Sequence, residues 1–225
     1  PVGWPTLDRD APSFAQLALR LPEGPLHLVA FSLGAACALR LAALAPDKVA
    51  RLTLISAAAP LELGDFLPHM AGAPMFRAAR SHAQLSALTR VQSTLARLSP
   101  ALFTRLLAKG ADAGDRALFD ASDTGPILRK AVSEGLTENR AVYLREIAAY
   151  VQPWARHLAL VRCPVTLIHG TEDRWAPPAM AEALAATLPD AQLRMVEGKG
   201  HYGALQTALH DLAADAPATG HGPDG

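Results

Sequence analysis

The chain has 225 residues, half of them hydrophobic and 19% charged, with Lys+Arg and Asp+Glu balanced at 21 each. That length suits one large domain or a core with an inserted subdomain, and the apolar share is enough for a packed interior. Balanced charge removes the electrostatic case for nucleic acid or an anionic membrane, and no uninterrupted apolar run reaches the ~20 residues of a membrane span, because Arg40 breaks the longest.

Asp10 followed by Ala11-Pro12 reads as a helix start, a capping carboxylate with proline in the first turn. Phe14, Leu17 and Leu21 continue it as an i, i+3, i+7 stripe until the prolines at 22 and 25. Leu26–Phe31 is a short apolar run that reads as a buried strand. Residues 33–45 are long enough for a helix of about 20 Å, closed by Pro46. Val49–Ile55 is a second strand, 165–168 a third and 192–196 a fourth. A helix at 179–188 separates the last two, and another closes the chain at 202–212. Strands separated by helices predict right-handed crossovers and a parallel sheet, which is the α/β class.

Between residues 56 and 162 the periodicity is helical. Leu85, Leu88, Val91, Leu95 and Leu98 make an apolar stripe, with Arg90 and Arg97 seven apart on another face. Ile127, Ala131 and Val132, then Leu144, Ile147, Ala148 and Val151, predict further helices, with Gly135 as a break. A helical block between two strands reads as a cap. The expected division is therefore a core of 1–60 with 156–214, a cap of 61–155 and a disordered tail of 215–225. Charge along the block is uneven: six Lys/Arg and no Asp/Glu over 66–110, then four Asp against one Arg over 111–125. A solvated helix face beside an acidic loop accounts for this, and an anion-attracting lid is the sharper alternative.

The two cysteines, Cys37 and Cys163, lie in or beside apolar runs, which favours free thiols and a reducing compartment. PVGWPTLDRD at the start lacks the charged-then-apolar plan of a signal peptide, so the expectation is a soluble, cytoplasmic protein.

The stretch AFSLG carries the first chemical signal. A strand that turns directly into a helix forces its corner residue into a strained conformation, and the positions two away must be small. Ala30 and Gly34 meet this requirement around Ser32. The helix start offers partial positive charge and free N–H groups, so the N–H of Leu33 would face an oxyanion formed when Ser32 attacks a carbonyl. Alone, the stretch also admits a plain serine N-cap. A serine nucleophile needs a base, and of eight histidines, His201 in EGKGHYG follows the last strand on a glycine-flanked loop. His27 and His169 border strands, His69, His82 and His157 lie in the helical block, His210 is on the closing helix and His221 in the tail. Those seven read as core or surface histidines. A carboxylate should orient the imidazole: Asp173 in HGTEDRWAP, after the third strand, is the first choice, with Glu172 and Asp65 as runners-up. Ser32, Asp173 and His201 thus each follow a different strand, at the edge where open parallel sheets bind ligands. No His/Cys/Asp cluster has zinc spacing, and Gly198-Lys199-Gly200 lacks the phosphate-loop pattern.

Taken together, AFSLG, HGTEDRWAP and GKGHYG resemble the α/β-hydrolase superfamily, and within it the lid-bearing esterase, peptidase and thioesterase branch. The resemblance spans about residues 10–214, with the cap similar only in kind, and alanine opens an elbow that is more often GxSxG. It implies an α/β-hydrolase fold, a parallel sheet flanked by helices with an inserted helical cap. It implies Ser32 as nucleophile, His201 as base, Asp173 as acid and Leu33 in the oxyanion hole. The implied partner is a small-molecule acyl substrate, an ester, thioester or amide cleaved through an acyl-enzyme without a cofactor. The family also places three or four strands ahead of the elbow strand and takes its second oxyanion N–H from a loop among them, whereas about 25 residues precede Leu26 here. The N-terminal part of the sheet is therefore expected to be missing, leaving the edge of Leu26–Phe31 open to self-association. The competing reading is a non-catalytic α/β-hydrolase-like binding protein or an inactive fragment.

Overall fold

The structure, a computed structural model, describes residues 14–214, so the helix start expected at Asp10 and the tail with His221 lie outside the described residues. Strands β1 (Leu26–Phe31), β2 (Val49–Ile55), β3 (Val165–Gly170) and β4 (Ala191–Val196) form one parallel sheet in the order β1-β2-β3-β4. Helices α1 (Phe14–Leu19) and α2 (Gly34–Leu44) flank β1 in the chain. Between β2 and β3 come α3 (Ala73–Ala78), α4 (His82–Leu98), α5 (Pro100–Ala108), α6 (Ala113–Asp120), α7 (Gly125–Thr137) and α8 (Arg140–Tyr150). Helix α9 (Pro178–Thr187) links β3 to β4, and α10 (His201–Ala214) follows β4. Every element read from the sequence in the sheet region is present.

Alternation along the strands assigns the two faces of the sheet. Leu28, Leu52, Leu54, Val165, Leu167 and Leu193 face α2 and α9 in the main core, while Phe31, Ile55, Ile168 and Val196 face Ala208, Leu205 and Leu212 of α10. Helix α2 is alanine-rich, which lets it lie close to the sheet with Ala35, Leu39 and Ala42 out of solvent. Strands β2 and β3 are buried on both faces, but β1 is not the buried strand expected. Its burial alternates and Val29 is 47% exposed, because among the described residues β1 pairs only with β2, and α10 packs mainly on β2 and β3 while touching β1 at Phe31.

The inserted region is helical throughout, and its helix starts follow local rules. Proline occupies the first turn of α3, α5 and α7. The Ser81 hydroxyl accepts from the Gln84 N–H at α4, and the Asp112 carboxylate accepts from the Gly114 and Asp115 N–H groups at α6. Three expectations fail here. Of the stripe on α4, Leu85 is buried and Leu88 and Leu95 pack against the cores, but Val91 and Leu98 are 67% and 81% exposed, and Thr89, Ser93 and Ala96 are buried in their place. Small residues on that face let neighbouring helices approach, and the Thr89 hydroxyl is satisfied by the Leu85 carbonyl at 2.9 Å. Gly135 does not break a helix, since α7 runs through it. The acidic loop is in part the helix α6, with Asp112 and Asp115 buried and Asp120 and Asp123 in solvent. The six basic residues over 66–110 are all exposed, as a solvated face requires.

Insert and sheet are joined where the chain returns from α8. Trp154 is buried, and the buried Arg40 guanidinium of α2 stacks over its ring at 4.6 Å and over Phe14 at 4.7 Å. Arg40 also donates to the Ala149 carbonyl, while the Glu62 carboxylate accepts from the N–H groups of Trp154 and Ala155 at 2.5 and 2.6 Å.

Candidate active site

Ser32 and Ser56 stand at equivalent places. The Ser32 N–H donates to the Ile55 carbonyl at 2.9 Å and the Ser56 N–H to the Ile168 carbonyl at 2.8 Å, so each carries the sheet ladder one residue past its strand. Both then adopt positive φ, 56° and 46°, in a region that non-glycine residues rarely visit. At Ser32 this turns the chain into α2 and leaves the hydroxyl at the carboxyl edge of the sheet. The strain expected from AFSLG is thus present where the sequence places it.

His201 is the first residue of α10 and is almost wholly buried. Its Nε2 lies 2.9 Å from the Ser32 Oγ, and its Nδ1 lies 2.7 Å from Asp173 Oδ2. Nδ1–H donated to the carboxylate leaves Nε2 free to accept the serine proton. Asp173 is buried, and its other oxygen accepts from the Trp175 and Ala176 N–H groups at 2.8 and 2.9 Å. Burial alone would push this carboxyl up, but His201, its hydrogen bond, His169 and the Ala176 N–H together hold it below the ordinary carboxylate range. Asp173 therefore stays ionised at neutral pH beside the imidazole. Glu172 and Asp65, the runners-up, are both exposed. The Phe31 ring packs against the imidazole with centroids 4.6 Å apart.

The loops that bring acid and base together need one close approach. A side chain at Gly170, the last residue of β3, would collide with the carbonyls of Lys199 and Gly200, so glycine there lets the acid loop and the histidine loop touch. The Glu172 N–H seals that contact on the Lys199 carbonyl at 2.9 Å.

Leu33 lines the cavity at Ser32 and its N–H takes no partner among the described residues, as an oxyanion donor requires. The cavity, about 430 Å³, is bounded below by Ser32 and His201 and walled mostly by apolar side chains of the insert, including Met75, Phe103 and Leu136. Cys37 is no rival nucleophile: burial pushes its thiol up to about 11. Cys163 is likewise free and raised by burial. Among the described residues there is no cluster of His, Cys, Asp and Glu fit for a metal ion, and no helix is long and apolar enough to cross a membrane.

Sequence reasoning missed three contributors. His169, read as a core histidine, is buried but touches the site: its Nε2 lies 2.8 Å from the Ala176 carbonyl and 3.4 Å from Asp173 Oδ2. Burial lowers its pKa against the pull of Asp173, so it acts as a neutral N–H donor and forms no ion pair. Ser56 donates its hydroxyl to the His201 carbonyl at 3.0 Å. The repeated pattern of a strand ending in serine was the signal for it. Asp115, from the insert, accepts from the N–H groups of Tyr202 and Gly203, and only the fold brings it there.

This fold and this edge define a known class. Residues 6–208 match the model of the alpha/beta hydrolase fold, and the chain belongs to that family. It is 35% identical over 197 residues to a pimeloyl-[acyl-carrier protein] methyl ester esterase from Aromatoleum aromaticum, covering 80% of this chain and 69% of that protein. Among solved structures, a hydrolase from Oleispira antarctica matches with a TM-score of 0.60 at 13% identity, over 90% of this chain and 70% of that one. The enol-lactonase from Burkholderia xenovorans matches with a TM-score of 0.56 at 18% identity, over 88% and 67%. At those identities the structural matches speak for the fold alone.

Proposed function

We propose that the protein is a serine carboxylesterase, with residues 1–60 and 156–214 as its catalytic core and 61–155 as its cap. The observation that carries this reading is the unbroken hydrogen-bonded line from Ser32 Oγ through His201 to Asp173, standing at the floor of the cavity. Ser32 attacks the ester carbonyl while His201 Nε2 takes its proton, and Asp173 stabilises the resulting imidazolium. The oxyanion meets the Leu33 N–H at the start of α2. His201 then protonates the departing alcohol, and water, deprotonated by the same imidazole, releases the acyl group. No cofactor enters.

The apolar walls suit an acyl chain, and the esterase from Aromatoleum aromaticum points to the methyl ester of a carrier-bound dicarboxylic acyl group as the substrate class. A series of p-nitrophenyl esters of increasing acyl length, with a methyl-ester acyl thioester beside it, tests this directly. Turnover with covalent capture of Ser32 by a fluorophosphonate, located by mass spectrometry, is the expected result. Labelling at another serine, or turnover that survives Ser32→Ala, would overturn it.

A further inference from the structure

The first turn of a helix presents N–H groups that have no acceptor within the helix. In α10 these include the N–H groups of Tyr202 and Gly203, immediately after His201, and both donate at 2.9 Å to one oxygen of Asp115. Asp115 lies 87 residues away from Tyr202, on α6 of the insert, and is completely buried. The arrangement is an N-cap delivered from another part of the fold, with a carboxylate at the positive end of the helix dipole. Gly200, just before His201, gives the Asp112 and Asp115 carboxyl groups room at this point, since a side chain there would overlap both. No other segment is described as bonding the N–H of Tyr202 or Gly203.

We propose that Asp115 is a positioning residue for His201, holding the first turn of α10 so that the imidazole stays in reach of both Ser32 and Asp173. The claim rests on the triad reading above and extends it into the insert. Because the anchor belongs to α6, the cap is tied to the base of the reaction as well as to the substrate. Displacement of that helix would move the imidazole, although α6 itself does not line the cavity.

The Asp112–Asp115 pair has a second property. One oxygen of each, Oδ2, is buried without a hydrogen-bond partner. Two carboxyl groups meeting in a dry place share a proton more readily than two negative charges. Burial in the first place, with the charge of Asp112, pushes Asp115 up to about 6, although the Gly203 N–H and His201 act against this. The charged and titratable groups facing Asp115 are Asp112 on its own helix, His201 and Tyr202 on α10, and Lys199, whose stem lies beside Gly203 and whose head is in solvent.

The test compares Asp115→Ala with Asp115→Asn in the full chain, measuring kcat and KM for a p-nitrophenyl ester across pH. Asp115→Ala is expected to lower kcat by about 10²-fold, the cost of a misplacement near 1 Å, with KM little changed. Asp115→Asn keeps an acceptor for both N–H groups, and its amide supplies Asp112 with a permanent donor, so most of kcat returns. A folded Asp115→Ala enzyme with the parent kcat would overturn the proposal, as would an asparagine variant as impaired as the alanine one. Where Asp115→Ala does not fold, Asp115→Ser, whose shorter side chain does not reach both N–H groups, takes its place, and a parent kcat in that variant overturns it. Fluorophosphonate capture of Ser32 in the parent chain separates these outcomes from a failure of the triad reading itself.

Discussion

The sheet and the insert build one site by different means. At the carboxyl edge of the sheet, backbone does the placing: ladder bonds run one residue past β1 and β2, and Ser32 and Ser56 then turn with positive φ. Loops after β3 and β4 are locked by the Glu172–Lys199 backbone bond and the Asp173 turn. In the insert, side chains do the placing. Helix α4 meets its neighbours through Leu85, Thr89, Ser93 and Ala96, and the cavity walls are Met75, Phe103 and Leu136. Backbone placement is unforgiving, since small misplacements cost orders of magnitude in rate. Apolar walls tolerate exchange that conserves volume, so substrate choice can drift in the insert while the reaction stays fixed.

The largest effects should fall on the sheet side. Ser32→Ala is expected to lower kcat on a short p-nitrophenyl ester by on the order of 10⁶-fold, while the chain still melts cooperatively. Asp173→Asn should follow at about 10⁴-fold, because the imidazole loses its charge partner and its favoured tautomer. Asp65→Asn and Glu172→Gln, both in solvent, should keep the parent rate. Equal loss from Asp65→Asn with Asp173→Asn harmless would move the acid to the loop after β2.

A second prediction sharpens the contrast at the seam. Trp154 is buried where the insert rejoins the sheet, beneath the Arg40 guanidinium. Trp154→Ala should cost about 3–5 kcal/mol of stability and leave the Arg40 guanidinium with the Phe14 ring alone. Urea unfolding measures the loss. Turnover per folded molecule should fall far less than in Asp173→Asn, since Trp154 touches no reacting group. A variant with unchanged stability would mean that the seam does not hold the two regions together.

Legibility follows the same divide. Ser32, Asp173 and His201 could be read because strand ends and loop glycines are local signals, and a parallel sheet gathers the ends of its strands on one edge. Gly34 and Ala30 announced the elbow without knowledge of anything distant in the chain. Val29 could not be read as exposed, because an apolar strand residue carries no mark of whether its face is covered. Asp115 looked like one of several aspartates in a polar loop, and its partners lie on α10, far along the chain. Ser56 was legible in principle, as the second serine directly after an apolar strand.

The smallest effect tests the reading of α4, where the buried face keeps Leu85, Leu88 and Leu95 but is rotated away from the rest of the apolar stripe. Five apolar residues at near-helical spacing suggested that Val91 and Leu98 turn inward, yet both stand in solvent, while Thr89, Ser93 and Ala96 are buried. Hydrophobicity marks a buried face only when the neighbour has room for large side chains. Here α3, α5, α7 and α8 all pack on α4, and the contact favours small residues. Val91→Gln and Leu98→Gln should each change stability by no more than about 0.5 kcal/mol. Ser93→Leu, which makes the helix more apolar, should destabilise it by about 1–3 kcal/mol through overpacking. Thermal melts of the three single variants decide between the faces: a large loss from Val91→Gln with a neutral Ser93→Leu would centre the buried face of α4 on its whole apolar stripe.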